Sequence, residues 1–422
     1  MRIDTLKIQN YKCFAKEVFA LNPQFTLVIG ENGKGKTALL EAVSNLLPYG
    51  LSKLHSPLAF KQFFTWDVRT IAINGQPIKQ SPLMIESDGI MFKEPISFVA
   101  FEQDDMVRYG EKKNGTITNQ FIDKKKKERQ NGLNPIFPVA AYYGTGRLWG
   151  KYEEELPYQQ QEDGLKMAYE DCLVPNTTSK AFLAWYKTQE DEIRKFDRTD
   201  DKLMLQVINQ AVTSMIPEWR DMAFSFRFND LVGILDGEER YFRQLSDGYR
   251  NTIGMVADII YRCIQLNPHL KERVLLETDG IVLIDELDLH LHPKWQLHIV
   301  ADLKRIFPKI QFVATTHSPF IIQSVEADEL LNLDKDDVPQ LETDPINASI
   351  EEIVEKVMGV EQRRSQKFQE MQEAAKVYFE LLKNKADKQR VEKAKLHLDR
   401  LRVLFNHDPA FVAQLESELP IM

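Results

Sequence analysis

The chain is most constrained by eight residues, Gly30-Glu31-Asn32-Gly33-Lys34-Gly35-Lys36-Thr37, and by what flanks them. Before them stands Phe25-Thr26-Leu27-Val28-Ile29, a short β-rich run; after them Leu39, Leu40, Val43, Leu46 and Leu47 recur at helical spacing, with Pro48 and Gly50 expected to end the helix. A G-x-x-x-x-G-K-[ST] loop between a strand and a helix is a phosphate cradle. Its glycines let backbone N–H groups close around phosphates with no Cβ in the way, and the helix N-terminus adds positive potential. Lys36 is expected to reach the β and γ phosphates of ATP, and the Thr37 hydroxyl to ligate Mg2+. The expected ATP-binding set is Asn32, Gly33, Lys34, Gly35, Lys36 and Thr37, joined by Ser246 and Gly248 farther along the chain.

A cradle needs a hydrolytic partner. Ile281-Val282-Leu283-Ile284 is wholly apolar, as a parallel strand covered on both faces must be, and it ends in Asp285-Glu286. Asp285 is positioned to hold the metal and Glu286 to polarise the attacking water. Between cradle and strand lies Leu245-Ser246-Asp247-Gly248-Tyr249-Arg250, followed by a helical pattern from Ile253 to Ile264. Ser246 and Gly248 at a helix start offer a hydroxyl, N–H groups and a dipole to an anion.

This last motif resembles the signature of ABC-type ATPases. Asp288 stands where the D-loop of that class would have it, and His317 in Thr315-Thr316-His317-Ser318-Pro319 where its switch histidine senses the γ-phosphate. The opening Ile8-Gln9-Asn10-Tyr11-Lys12-Cys13-Phe14 looks like that of RecF, OLD and SMC type heads. With Tyr143-Gly144-Thr145-Gly146-Arg147 and Asp285-Glu286-Leu287-Asp288-Leu289-His290-Leu291-His292-Pro293, the pattern is similar to the PtuA-type ATPases of Septu anti-phage systems and their retron-associated relatives. The resemblance covers Met1 to about Val325. It implies an α/β ABC-type head with a mixed or parallel sheet core and an antiparallel β subdomain. It also implies a homodimer or higher homo-oligomer that closes on ATP, and a separate nuclease subunit, HNH type, acting on DNA. Gln103 is the candidate for the Q-loop glutamine. His290 and His292 alternate as metal ligands can, but no third ligand lies nearby. OLD enzymes carry a nuclease domain after the head; here Asp334, Asp336 and Asp337 read as a charged loop.

The remaining sequence limits the alternatives. With 63 acidic against 54 basic side chains and a formal charge of -9, bulk charge cannot bind nucleic acid, so any DNA contact falls to a partner or a local patch. Lys124 to Lys127 with Arg129 read as a solvated loop or as such a patch. No apolar run is long enough to span a membrane and the start lacks an h-region, so no membrane association and a cytoplasmic location are expected. Cys13, Cys172 and Cys263 form no metal or disulfide pattern and read as buried hydrophobes.

The expected organisation is a discontinuous head at 1–162 and 221–345, a helical insertion at 163–220 and a C-terminal helical segment at 346–422. Within the head, turns at Asn74-Gly75, Ser87-Asp88-Gly89 and Asp236-Gly237 suggest hairpins. In the insertion, Phe182, Trp185, Tyr186, Ile193 and Phe196 form a stripe to bury; in the tail, Val391, Ala394, Leu398, Leu401 and Phe405 suggest a helical hairpin. A RecF-like repair and loading ATPase is the rival reading, and the soluble subunit of a transporter a more distant one.

Overall fold

A computed structural model of the chain describes residues 1–51, 54, 65–103, 106–111, 115–147, 163–175, 180–196, 199–334, 344–360, 366–384 and 387–402. It divides into two compact units, Met1–Ile353 and Val354–Met422.

The strands, in chain order, are β1 (Arg2–Tyr11), β2 (Phe14–Ala20), β3 (Phe25–Ile29), β4 (Thr70–Ile73), β5 (Gln76–Lys79), β6 (Met84–Met91), β7 (Glu94–Gln103), β8 (Met106–Glu111), β9 (Val139–Tyr143), β10 (Trp219–Ser225), β11 (Asp230–Leu235), β12 (Glu238–Tyr241), β13 (Gly280–Ile284), β14 (Ile310–Thr315) and β15 (Leu330–Asn332). The core is a five-stranded sheet of order β15-β3-β14-β13-β9 in which every pairing is parallel. β3, β9, β13 and β14 are buried at every residue, which is why their sequences run apolar without alternation. Because β14 lies between β3 and β13, with Thr315 opposite Val28 and Ala314 opposite Ile284, the segments after all three strands meet at one carboxyl edge. That edge is where open α/β sheets bind ligands.

Beside it, β2-β1-β6-β7-β8 form a separate antiparallel sheet. Asn74 and Gly75 do turn the β4–β5 hairpin, with φ of 52° and 77°. Ser87-Asp88-Gly89 does not turn. It lies inside β6, where Asp88 accepts a bond from the Ser97 hydroxyl at 2.8 Å and a Cβ on Gly89 would stand 2.2 Å from the Arg2 carbonyl oxygen. The glycine there lets two strand backbones approach, and Phe92-Lys93, with φ of 52° and 68°, make the turn instead.

The helix after the cradle also differs from expectation. It spans Lys36–Leu51, through Pro48 and Gly50. Its apolar stripe is fully buried, and a Cβ on Gly50 would lie 2.7 Å from the Phe98 ring, so this glycine serves close packing on β7 rather than termination. Tertiary contact overrides local propensity here. The basic run Lys124–Lys127 is likewise no loop: it belongs to the helix Gly115–Gln130, anchored by buried Ile122, with Lys124 and Lys127 exposed.

Within 163–220 the helices are Gly164–Tyr169, Lys180–Phe196 and Thr199–Met215. Phe182, Trp185 and Tyr186 are buried, Trp185 against Tyr261 at 5.5 Å between rings. Phe196 is 63% exposed, because the last turn of its helix carries it off the packed face. β10, β11 and β12 make a three-stranded antiparallel meander turned at Asp236-Gly237. From its end rises the long helix Asp247–Leu266, whose Asp258 and Arg262 are buried; Asp258 accepts from Arg262 at 2.8 Å and from the Tyr143 hydroxyl at 2.7 Å. Arg262 also donates to the carbonyls of Ala168 and Glu170.

In the second unit, helices Gln366–Lys383 and Lys388–Arg402 pack through Met371, Ala374, Ala375, Tyr378 and Leu398, flanked by Val391, Ala394 and Leu401; Phe405 lies outside the described residues. No helix among the described residues is long and apolar enough to cross a membrane.

Candidate functional site

At the carboxyl edge of β3 the chain turns through the cradle and enters its helix at Lys36. Gly33 and Gly35 have φ of 86° and 105°, a backbone that side chains resist. At Gly35 the demand is doubled, since a Cβ would lie 2.5 Å from both the Cys13 sulfur and the Phe14 ring. Cys13 is therefore not a core residue but an exposed one, packed against the loop. The Lys36 ammonium lies folded on its own loop, donating to the carbonyls of Gly30 at 2.7 Å and Glu31 at 3.0 Å. Burial lowers its pKa, and the charges of Asp334, Asp285, Glu286 and Asp288 oppose that shift.

Facing the loop, Asp285 directly follows β13, with 4% of its surface exposed. One carboxylate oxygen accepts from the Thr37 hydroxyl at 2.9 Å, the other from the Thr315 hydroxyl at 2.6 Å. Thr315 in turn accepts from the Glu286 N–H at 2.7 Å. Cradle, β13 and β14 are thus joined by one chain of hydrogen bonds. Glu286 is half-buried with φ of 49°, a left-handed backbone that holds its side chain out of the strand's alternation. Next, Asp288 accepts from the Thr316 hydroxyl at 2.6 Å and the His317 N–H at 3.2 Å, leaving His317 exposed at the same edge.

Thr37 and Asp285 present hard oxygen atoms within hydrogen-bonding distance of each other, the donor chemistry that suits Mg2+. Among the described residues no cluster of three or more His, Cys, Asp or Glu side chains could hold a metal by itself. His292 caps a short helix, its Nδ1 accepting from the Lys294 N–H at 3.2 Å.

Ser246 caps the helix Asp247–Leu266 by position but makes no side-chain capping bond, and it is exposed. A Cβ on Gly248 would lie 2.4 Å from the His290 carbonyl oxygen, and Asn251 donates to the Leu289 carbonyl at 3.1 Å. The signature turn is therefore fixed to the Asp288–His292 segment. Among the described residues no hydrogen bond joins Ser246 or Gly248 to the cradle of the same chain. Gln103 ends β7, but its side chain, like that of Arg147, lies outside the described residues.

Sequence reasoning missed two contributors. Thr315 was visible only as part of a motif, with no role attached. Asp334, taken for a charged loop residue, is 6% exposed and accepts from the Glu31 N–H at 2.7 Å; Asp336 and Asp337 lie outside the described residues. The signal was the short apolar run Leu330-Leu331 before it: β15 pairs with β3, so whatever follows β15 must lie beside the cradle.

Two family models match the chain, one described as "AAA domain" over residues 5–212 and one as "AAA domain, putative AbiEii toxin, Type IV TA system" over 176–323. The Retron Vc95 probable ATPase of Vibrio cholerae serotype O1 biovar El Tor is 28% identical over 389 residues, which cover 78% of this chain and 73% of that one. The Retron Ec83 probable ATPase of Escherichia coli is 25% identical over 395 residues, covering 78% and 71%. The Septu protein PtuA of Bacillus thuringiensis is 26% identical over 373 residues, covering 82% and 81%.

Proposed function

From the kinship of this chain with retron ATPases and Septu PtuA over most of its length, we propose that it is the ATP-hydrolysing subunit of a two-component anti-phage system, closing head to head on ATP and controlling a partner nuclease on DNA. The observation that carries the reading is the single hydrogen-bond chain from Thr37 through Asp285 and Thr315 to Glu286. It ties the phosphate cradle to the Asp285 carboxylate and to the backbone of Glu286, the two acids that this reading assigns to ATP hydrolysis.

In this reading Lys36 exchanges its carbonyl partners for the β and γ phosphates, and the N–H groups of Asn32 to Thr37 close around them. Thr37 and Asp285 would hold Mg2+, which when bound neutralises charge on the phosphate oxygens. Glu286 orients the attacking water, and Asp288 holds the segment that bears His317, the γ-phosphate sensor. Exposed Ser246, at a helix N-terminus and beside buried Gly248, offers its hydroxyl and N–H groups to the nucleotide of a second head. The nuclease is a separate subunit, HNH type, since this chain supplies an ATP site and no nuclease carboxylate cluster among its described residues. DNA is met by that partner or by a local patch, for which exposed Lys124 and Lys127 are candidates.

The test is to purify the chain with the product of its neighbouring gene and assay plasmid cleavage with and without ATP, using wild type and Lys36→Ala. Nucleotide-dependent cleavage lost in Lys36→Ala is expected, together with loss of ATP binding by the variant. Metal-dependent cleavage by the chain alone, or ATP binding untouched by the substitution, would sink the proposal.

A further inference from the structure

The first limb of the cradle, Gly30-Glu31, is held from two sides by charged groups. Lys36 takes its carbonyls, and Asp334 takes the Glu31 N–H at 2.7 Å, the length of a charge-assisted bond. Asp334 is itself fixed: its N–H donates to the Asn332 side chain at 2.9 Å, and the preceding Leu333 N–H donates to the Ile29 carbonyl at 3.0 Å. The fit is close, since a Cβ on Gly30 would lie 3.2 Å from the Leu333 Cβ and 3.3 Å from Asp334 Oδ2. The other carboxylate oxygen is buried without a hydrogen bond and lies 3.5 Å from the Lys34 ammonium. A buried carboxylate oxygen left in that state is costly, so the positive field of the loop must compensate it.

We propose that Asp334 is a positioning residue of the nucleotide site, a strap that keeps the Glu31 limb of the cradle open to phosphate once Lys36 has left it. This rests on the ATPase reading above. When Lys36 turns to the phosphates, the limb loses both of its ammonium contacts at once. The bond from Glu31 to Asp334 remains, anchored to β15 and independent of the ligand. What it requires is an acceptor oxygen at that point, more than a negative charge.

Glu31, Asn32 and Gly33 are exposed, so the exchange rate of the Glu31 amide reports this bond directly. In nucleotide-free wild type it is expected to be protected relative to Asn32 and Gly33. Asp334→Ala removes the protection and weakens MgATP binding by about tenfold, the scale of one hydrogen bond, with kcat kept within about twofold. Asp334→Asn retains an acceptor oxygen and recovers both protection and affinity to within about threefold. An unprotected Glu31 amide in wild type overturns the inference without any variant. So does Asp334→Ala with wild-type affinity, or an Asp334→Asn as weak as Asp334→Ala. Wild-type protein that binds no MgATP at all would instead defeat the ATPase reading.

Discussion

Asp285 and Asp258 are both buried carboxylates of the same unit, 4% and 2% exposed, and they stand in opposite surroundings. Asp285 sits at a strand end, held by the hydroxyls of Thr37 and Thr315. Asp258 sits in mid-helix against the Arg262 guanidinium and the Tyr143 hydroxyl. A hydroxyl is a neutral partner that a hard cation can share, since both oxygens ligate it. A guanidinium already supplies the opposite charge, so the second cluster needs no cation, and it joins β9, the long helix and the carbonyls of Ala168 and Glu170. The difference lies in what surrounds the acid and how near the sheet's open edge it stands, not in burial.

The largest effect expected from this contrast is on stability. Arg262→Met leaves Asp258 buried without its cation and should cost about 3–5 kcal/mol, while replacing both members by apolar residues should recover most of the loss. Denaturant unfolding of the two variants measures it. A cost for Arg262→Met well under 1 kcal/mol would erase the distinction between the clusters. ATP affinity of the folded fraction should stay at the wild-type value.

The next effect falls on turnover. Glu286→Gln keeps the strand end and its N–H bond to Thr315, and removes only the carboxylate proposed to orient water. A fall in kcat of about 10²-fold or more is expected, equivalent to about 2.7 kcal/mol of barrier, with ATP still bound and the unfolding midpoint unchanged. Wild-type turnover in this variant would mean that the strand-end acids are structural, as Asp258 is.

The site was legible where chemistry forces residue type and spacing together. Glycines, Lys36 and Thr37 at this spacing announce a cradle because backbone N–H groups can close around phosphate only where no Cβ stands in the way, and an apolar run ending in Asp285-Glu286 announces a buried strand with acids at its edge. The sequence was opaque where a residue's role depends on a neighbour far along the chain. Ser87-Asp88-Gly89 has turn composition, yet Gly89 is set by the Arg2 backbone; Gly50 resembles a helix stop, yet it is set by Phe98. Asp334 acquires its role only through the pairing of β15 with β3, and Asp258 only by meeting Tyr143, 115 residues away in sequence. Long-range placement, rather than local propensity, decided each of these.

The smallest effects come from deleting one hydroxyl on each side of the comparison. Tyr143→Phe keeps the ring and strips Asp258 of one donor, and Thr315→Val keeps the shape and strips Asp285 of one while freeing the Glu286 N–H. Each removes a hydrogen bond to a buried charged acceptor, so each should cost about 1–2 kcal/mol of folding stability. The two should part company in turnover. Tyr143 meets only the Asp258 cluster through its hydroxyl, so its variant should hydrolyse ATP at the wild-type rate per folded molecule. Thr315 aligns Asp285 and the Glu286 backbone together, so its variant should lose about tenfold in kcat, the effect of a slightly misplaced catalytic group. Steady-state hydrolysis normalised to folded protein separates them. Equal turnover in the two variants would show that Thr315, like Tyr143, only supports the fold, and that the hydrogen-bond chain from cradle to catalytic strand is not part of the catalytic apparatus.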